Sequence, residues 1–175
     1  MEYNEGFALK NDMPFSLEAE QTVLGAILIE PAVLSQVLEK IKPDSFYNEQ
    51  HKELFTIMLR MFTSGTNADV VTVLNEAMEA GLFENSAEGR NYLANLMNSV
   101  PSVSNIESYC NIVAEKYYIR SLAVAAREIL TEIAEGGNDA QALLDSAEQK
   151  IFDIRQGKDI KGLTHIRDVV YDAYD

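Results

Sequence analysis

Few of the 175 side chains are of the kinds that carry chemistry. There is one cysteine, Cys110, and there are two histidines, His51 and His165, far apart along the chain. A lone cysteine makes no internal disulfide and completes no zinc set. Free cysteine is usually a buried, inert small hydrophobe, and Cys110 is read as one. His51 stands in Glu49-Gln50-His51-Lys52-Glu53, the opening turns of one helix, and is expected to be a capping or surface histidine rather than an acid/base group. Neither histidine belongs to an H-E-x-x-H pair. Glu18 and Glu20 are two residues apart on a helix, so their carboxylates diverge and cannot share a substrate. They are expected to face the positive end of the helix dipole. Gly157-Lys158 is followed by Asp159 and lacks the earlier glycine of a phosphate loop, and no G-x-G-x-x-G occurs. The expectation is a chain without an active site, metal or cofactor of its own.

Composition bounds the rest. A 47% hydrophobic chain of this length can bury a core of one medium domain. With 9 glycines and 4 prolines, long uninterrupted helices are favoured over low-complexity sequence. The stretch from Gln21 to Ile29 is too short to span a membrane, and no basic region precedes it as in a secretory signal. Together with the single cysteine, this points to a reducing cytoplasm. The formal net charge is −14, with the acidic excess spread along the chain. Such a chain has no electrostatic footprint for gripping a polyphosphate backbone, so tight independent DNA binding is not expected.

The elements that would position these residues are helical from Ser16 onward, and the fold class is all-α. Residues 1–15 read as a polar, disordered tail. Residues 16–100 read as a globular domain of five short helices. Ser16 is placed to cap the first, with Leu17, Leu24, Ile27 and Leu28 on one face. Pro31 opens a second, whose apolar positions run from Val33 to Ile41 before Pro43 breaks it. A third runs from about Asn48 to Thr63, with Leu54, Phe55, Met58, Leu59 and Phe62 inward and Gly65 beyond its end. Asp69 caps a fourth, closed by Gly81, and a fifth carries Tyr92, Leu93, Leu96 and Met97.

Residues 101–156 read as an antiparallel helical hairpin. Ser104 and Glu107 have the spacing of a capping box. A helix of about thirty residues follows, then the turn Gly136-Gly137-Asn138, then a helix from about Asp139 to Arg155. This hairpin carries more apolar surface than two helices hide. Tyr117, Tyr118, Ile119 and Ile133 on the first helix, with Leu144 and Ile151 on the second, are candidate residues for self-association. Residues 157–175 read as a charged linker and the start of an amphipathic helix with Ile166, Val169, Val170 and Tyr174. That helix has no C-cap before Asp175, so the polypeptide is expected to continue.

Several spaced strings resemble one family. Ser16-Leu17-Glu18-Ala19-Glu20-Gln21-Thr22-Val23-Leu24-Gly25-Ala26, then Glu30-Pro31, is similar to the opening of bacterial replicative DNA helicases of the DnaB type. So are Phe46-Tyr47 with His51 and Phe55, Asp69-Val70-Val71-Thr72, Tyr92-Leu93-Ala94, and Val100-Pro101-Ser102 with Asn105-Ile106. Tyr109, Ile112-Val113, Glu115-Lys116 and Arg120 continue the pattern, and Ile166-Arg167-Asp168-Val169 is similar to the start of that family's linker helix. The resemblance implies a non-catalytic N-terminal collar region in which globule and hairpin pair between subunits of a hexamer. It implies docking of the C-terminal helical domain of primase, with a helicase loader as a further partner. Carried over by position, Tyr92 and Ile129 are the candidate primase contacts, with Leu122 a third. ATP and magnesium would belong to an ATPase domain outside this chain. The rival reading is a free-standing all-α regulator that mimics the collar to capture primase or loader.

Overall fold

The computed structural model describes residues 13–136 and 139–158, and among these there are helices and turns but no strand. α1 (Leu17–Ile29) starts where Ser16 Oγ accepts the Ala19 N–H at 3.2 Å, the expected N-cap. Pro31–Val33 form a 3-10 turn that runs into α2 (Leu34–Val37). The second helix is therefore much shorter than the apolar spacing from Val33 to Ile41 predicts. The residue before a proline is pushed out of the helical region, and Lys42, before Pro43, is extended at φ −123 and ψ 167. The chain meets that constraint by leaving the helix after Val37 and closing turns from Lys40 and Ile41 back onto the Val37 carbonyl.

α3 (Glu49–Thr63) is capped by Asn48 and α4 (Val70–Glu79) by Asp69, whose carboxylate accepts the Val71 and Thr72 N–H groups at 3.0 Å. Gly65 ends α3 with φ +74, a left-handed conformation that costs glycine little, and the Thr66 N–H then reaches back to the Met61 carbonyl. Phe62, expected inward, is exposed. It opens the exposed run 62–67, where the last turn of α3 has outrun the helices that cover its earlier ones.

α5 (Ser86–Asn98) packs across α1 and against α4. The α1–α5 crossing is close because Gly25 lies under the backbone of Leu96, where a Cβ would come to 2.1 Å from the carbonyl oxygen. The core draws on all of these helices, with Leu24 and Ile27 from α1, Leu34, Phe55 and Met58, Val73, and Leu93 and Leu96.

α6 (Ile106–Ala134) is one continuous rod of 29 residues. Its first turns carry Ile106, Cys110 and Val113 into the same core, so the rod is rooted in the globule. The capping box expected at Ser104 and Glu107 does not form. A 3-10 turn, Val103–Asn105, precedes the helix and puts Asn105 at the cap position, while Ser104 bonds Ser102 and Glu107 pairs with Lys40.

α7 (Ala140–Lys158) returns along α6. Tyr118 donates to the Gly157 carbonyl at 3.0 Å, and Lys150 pairs with Glu132 at 3.0 Å, as an antiparallel hairpin requires. α7 includes Gly157 and Lys158, which the sequence assigns to the linker. Gly137 and Asn138 of the expected turn, residues 1–12 of the expected tail, and the linker from Asp159 with its amphipathic segment lie outside the described residues.

Candidate functional site

The polar groups that matter are gathered where α1, α3 and α6 meet. On the buried face of α1 stands Glu20, one turn before Leu24, and its side chain is 2% exposed, whereas Leu17, expected on that face, is exposed where α1 begins. Its Oε1 accepts the Tyr47 N–H at 2.7 Å, and its Oε2 accepts the Asn48 N–H at 3.3 Å and His51 Nδ1–H at 2.7 Å. His51 is 1% exposed, and its Nε2 has no hydrogen-bond partner among the described residues.

One expectation is thereby corrected: His51 is neither a cap nor a surface residue. Glu20 does stand in the first turn of α1, as expected, but its carboxylate is buried and engaged by the loop before α3. The signal was present in the pattern: Glu20 occupies the inward stripe of α1, and His51 precedes Leu54, Phe55 and Met58 on the inward stripe of α3. A charged or polar residue on such a stripe is buried with its partners. The pair is sealed from solvent, so its chemistry is to hold the loop before α3 rather than to meet a substrate.

Arg120 marks the other side of that loop. Its Nη1 donates to the Pro14 carbonyl at 2.9 Å and its Nη2 to the Ser45 carbonyl at 2.8 Å. Its guanidinium lies 5.4 Å from the Tyr47 ring centre and 5.9 Å from that of Tyr117. Burial lowers its pKa, and the nearby Glu20 carboxylate opposes that shift. Phe15 stacks on Tyr47 at 4.5 Å and 10°, so residues 13–16 dock against the globule rather than extending the tail. Sequence spacing gave no signal for this, because Pro14, Ser45 and Arg120 are far apart in the chain.

Among the candidate primase contacts, Tyr92 lies on α5 in the globule. Its half-buried ring is 5.5 Å from Phe83 and 6.3 Å from His51, and burial, helped by the Glu20 charge, raises its pKa to about 12. Leu122 and Ile129 are seven residues apart on one face of α6, Leu122 exposed and Ile129 half-buried. The fold therefore places Tyr92 in the globule and the other two on the hairpin.

Among the self-association candidates, Tyr117 and Tyr118 are half-buried. Tyr117 receives Lys42 over its ring at 5.0 Å, and Tyr118 binds the end of α7. Ile119, Ile133, Leu144 and Ile151 are exposed. Exposed beside them are Leu130 and Phe152, at 64% and 53%. Cys110 is buried as expected, and burial raises its thiol pKa to about 12. Among the described residues, no three or more His, Cys, Asp or Glu side chains are grouped to hold a metal ion, and no helix is long and apolar enough to cross a membrane.

Comparison with known proteins agrees with this architecture. A family model described as the DnaB-like helicase N terminal domain matches residues 12–115. Replicative DNA helicase DnaC of Bacillus subtilis (strain 168) is 36% identical over 162 residues, covering 93% of this chain and 36% of that protein. Replicative DNA helicase DnaB of Geobacillus stearothermophilus matches with the same identity and coverage. The chain thus spans about a third of the length of these curated relatives.

In structure, the crystallised N-terminal domain of DnaB helicase from Mycobacterium tuberculosis superposes with a TM-score of 0.73 at 33% identity, covering 81% of this chain and 99% of that one. A DnaB-like replicative helicase, solved in a study of its interactions with primase, gives 0.64 at 22% identity over 87% of this chain and 35% of that one, a likeness of fold alone. A five-helix globule, a rooted rod and a returning helix in this order, matched by family model, relatives and fold, mean that this chain belongs to the DnaB-like helicase N-terminal domain family.

Proposed function

We propose that this chain is the non-catalytic collar region of a replicative DNA helicase, pairing subunits through its hairpin and docking primase during DNA replication. The observation that carries the reading is the hairpin beyond Val113. Ala125 is the one fully buried hydrophobic residue there among those described, while Leu130, Ile133, Leu144 and Phe152 are each more than half exposed. Two helices with so much uncovered apolar surface gain about 25 cal/mol for each Å² that a partner hides. A stable pair needs on the order of 800 Å² from each copy.

On this reading Tyr92, Leu122 and Ile129 receive the C-terminal helical domain of primase, and a helicase loader is a further partner of the same ring. The acidic surface suits a role that recruits proteins rather than one that grips DNA. On this reading ATP and magnesium would belong to an ATPase domain outside this chain. The relatives' membership of the replicative helicases supports the assignment, as does the neighbouring helicase described with primase.

The test is a titration of an isolated primase C-terminal domain against the chain. Binding that weakens with Tyr92→Ala and with Ile129→Ala supports the assignment, and unchanged affinity in both removes it. Light scattering after size exclusion tests pairing, and a chain that stays monomeric at high concentration counts against the hairpin as the subunit contact.

A further inference from the structure

α6 leaves the globule at Arg120. Before that residue its inward side chains Ile106, Cys110 and Val113 belong to the common core, and from Tyr118 onward the helix packs along α7. Just past Arg120 a cleft of about 450 Å³ opens, with Met13 and Asp44 on the globule side and Val124, Lys150 and Ile154 on the hairpin side. α6 is unbroken through this point, so the hairpin's direction is the direction in which α6 lies on α1, and the contacts at its exit fix that direction. Arg120 stands at that point and reaches two different loops, through the carbonyls of Pro14 and Ser45. A planar guanidinium serves two acceptors at once only in a narrow range of orientations, and the rings of Tyr47 and Tyr117 beside it narrow that range further.

We propose that Arg120 is the positioning residue that sets the angle between hairpin and globule, buckling residues 13–16 and the loop at 43–48 onto α6. One side of the buckle is fixed, because Glu20 holds the Tyr47 and Asn48 amides from within the core. The other side is the strap at Pro14, kept in place by the Phe15–Tyr47 stack on an exposed face. A neighbour that lifts Phe15 from Tyr47 withdraws the Pro14 carbonyl from Arg120 and leaves α6 with one fewer tie to the globule, so the hairpin's angle loosens toward the cleft. This rests on the proposed function only in taking the hairpin as the pairing element. The angle itself is a property of one chain.

The experiment measures that angle directly. Spin labels on Glu79→Cys in α4 and Glu148→Cys in α7, both exposed positions, report the distance across the junction by double electron–electron resonance, with buried Cys110 left in place. Labelled chain is diluted into unlabelled chain so that only distances within one chain count. One narrow maximum is expected for the parent. Arg120→Lys keeps the charge but not the fork, and it should broaden and shift that maximum, as should Arg120→Gln. Phe15→Ala should do so to a lesser degree.

Hydrogen exchange at the Tyr47 and Asn48 amides stays slow throughout if the globule is intact. Unchanged distance distributions in both Arg120 variants overturn the proposal. So does a broadening that comes with fast exchange at Tyr47 and Asn48, which makes Arg120 a general support of the fold. Broadening in a chain that never pairs leaves the junction assignment standing and removes the collar reading.

Discussion

Three donors from the one segment 47–51 converge on one carboxylate, that of Glu20, in a site with almost no solvent. Removing the acceptor leaves buried N–H groups unpaired, each at a cost of about 1–3 kcal/mol. Glu20→Ala is expected to lower the unfolding free energy by about 3 kcal/mol, read from the urea midpoint, with loosening centred on Tyr47 to His51 in hydrogen exchange.

Cys110 and Tyr92 make a second prediction at this scale. Folding holds both groups protonated up to about 12, against ordinary values of 9.0 and 10.0. Above pH 9.0 the unfolded chain releases those protons first, so the native state is the one holding more. Their contribution is complete below the ordinary values and is lost as pH climbs toward 12. The urea midpoint should therefore fall between about pH 8 and about pH 11, and Cys110→Ala with Tyr92→Phe should flatten the decline. In the native chain a thiol reagent should leave Cys110 unmodified, and in denaturant it should label it fully.

Between elements, the tightest constraint is the α1–α5 crossing at Gly25. A methyl group there meets a main-chain carbonyl rather than the yielding end of a side chain, so the helices themselves must separate. Gly25→Ala should destabilise by about 3 kcal/mol in spite of alanine's better helix propensity, a result visible in thermal melts. At Gly89 the added Cβ would meet side-chain atoms of Leu74 and Phe83, which have more room to adjust, so Gly89→Ala should cost less. The sequence made the existence of these helices plain, through caps such as Ser16 and Asp69 and through stop signals such as Gly65. It overstated α2 because the apolar spacing up to Ile41 outran the backbone constraint set by Pro43. It misjudged the start of α6 because a 3-10 turn occupies the residues that would form the capping box.

For the whole molecule, the division of labour is between a globule that closes its own core and a hairpin that does not. Charge placed on the uncovered face should separate the two. Leu130→Glu with Leu144→Glu, at 64% and 59% exposure, should leave helix content and thermal stability nearly unchanged. The same pair should abolish self-association in sedimentation equilibrium, by burying charge without a partner. A double variant that still associates like the parent would place the pairing surface elsewhere.

Helical class, the break at Pro43, the hairpin and its apolar surplus follow from local rules of spacing, capping and turn chemistry, and those rules act within a few residues. The Glu20–His51 lock and the Arg120 buckle join Glu20 to residue 51, and Arg120 to residues 14 and 45, and no local rule reaches that far. Buried polar groups must find partners, and which partners they find is decided only when α1, α3 and α6 close on one another.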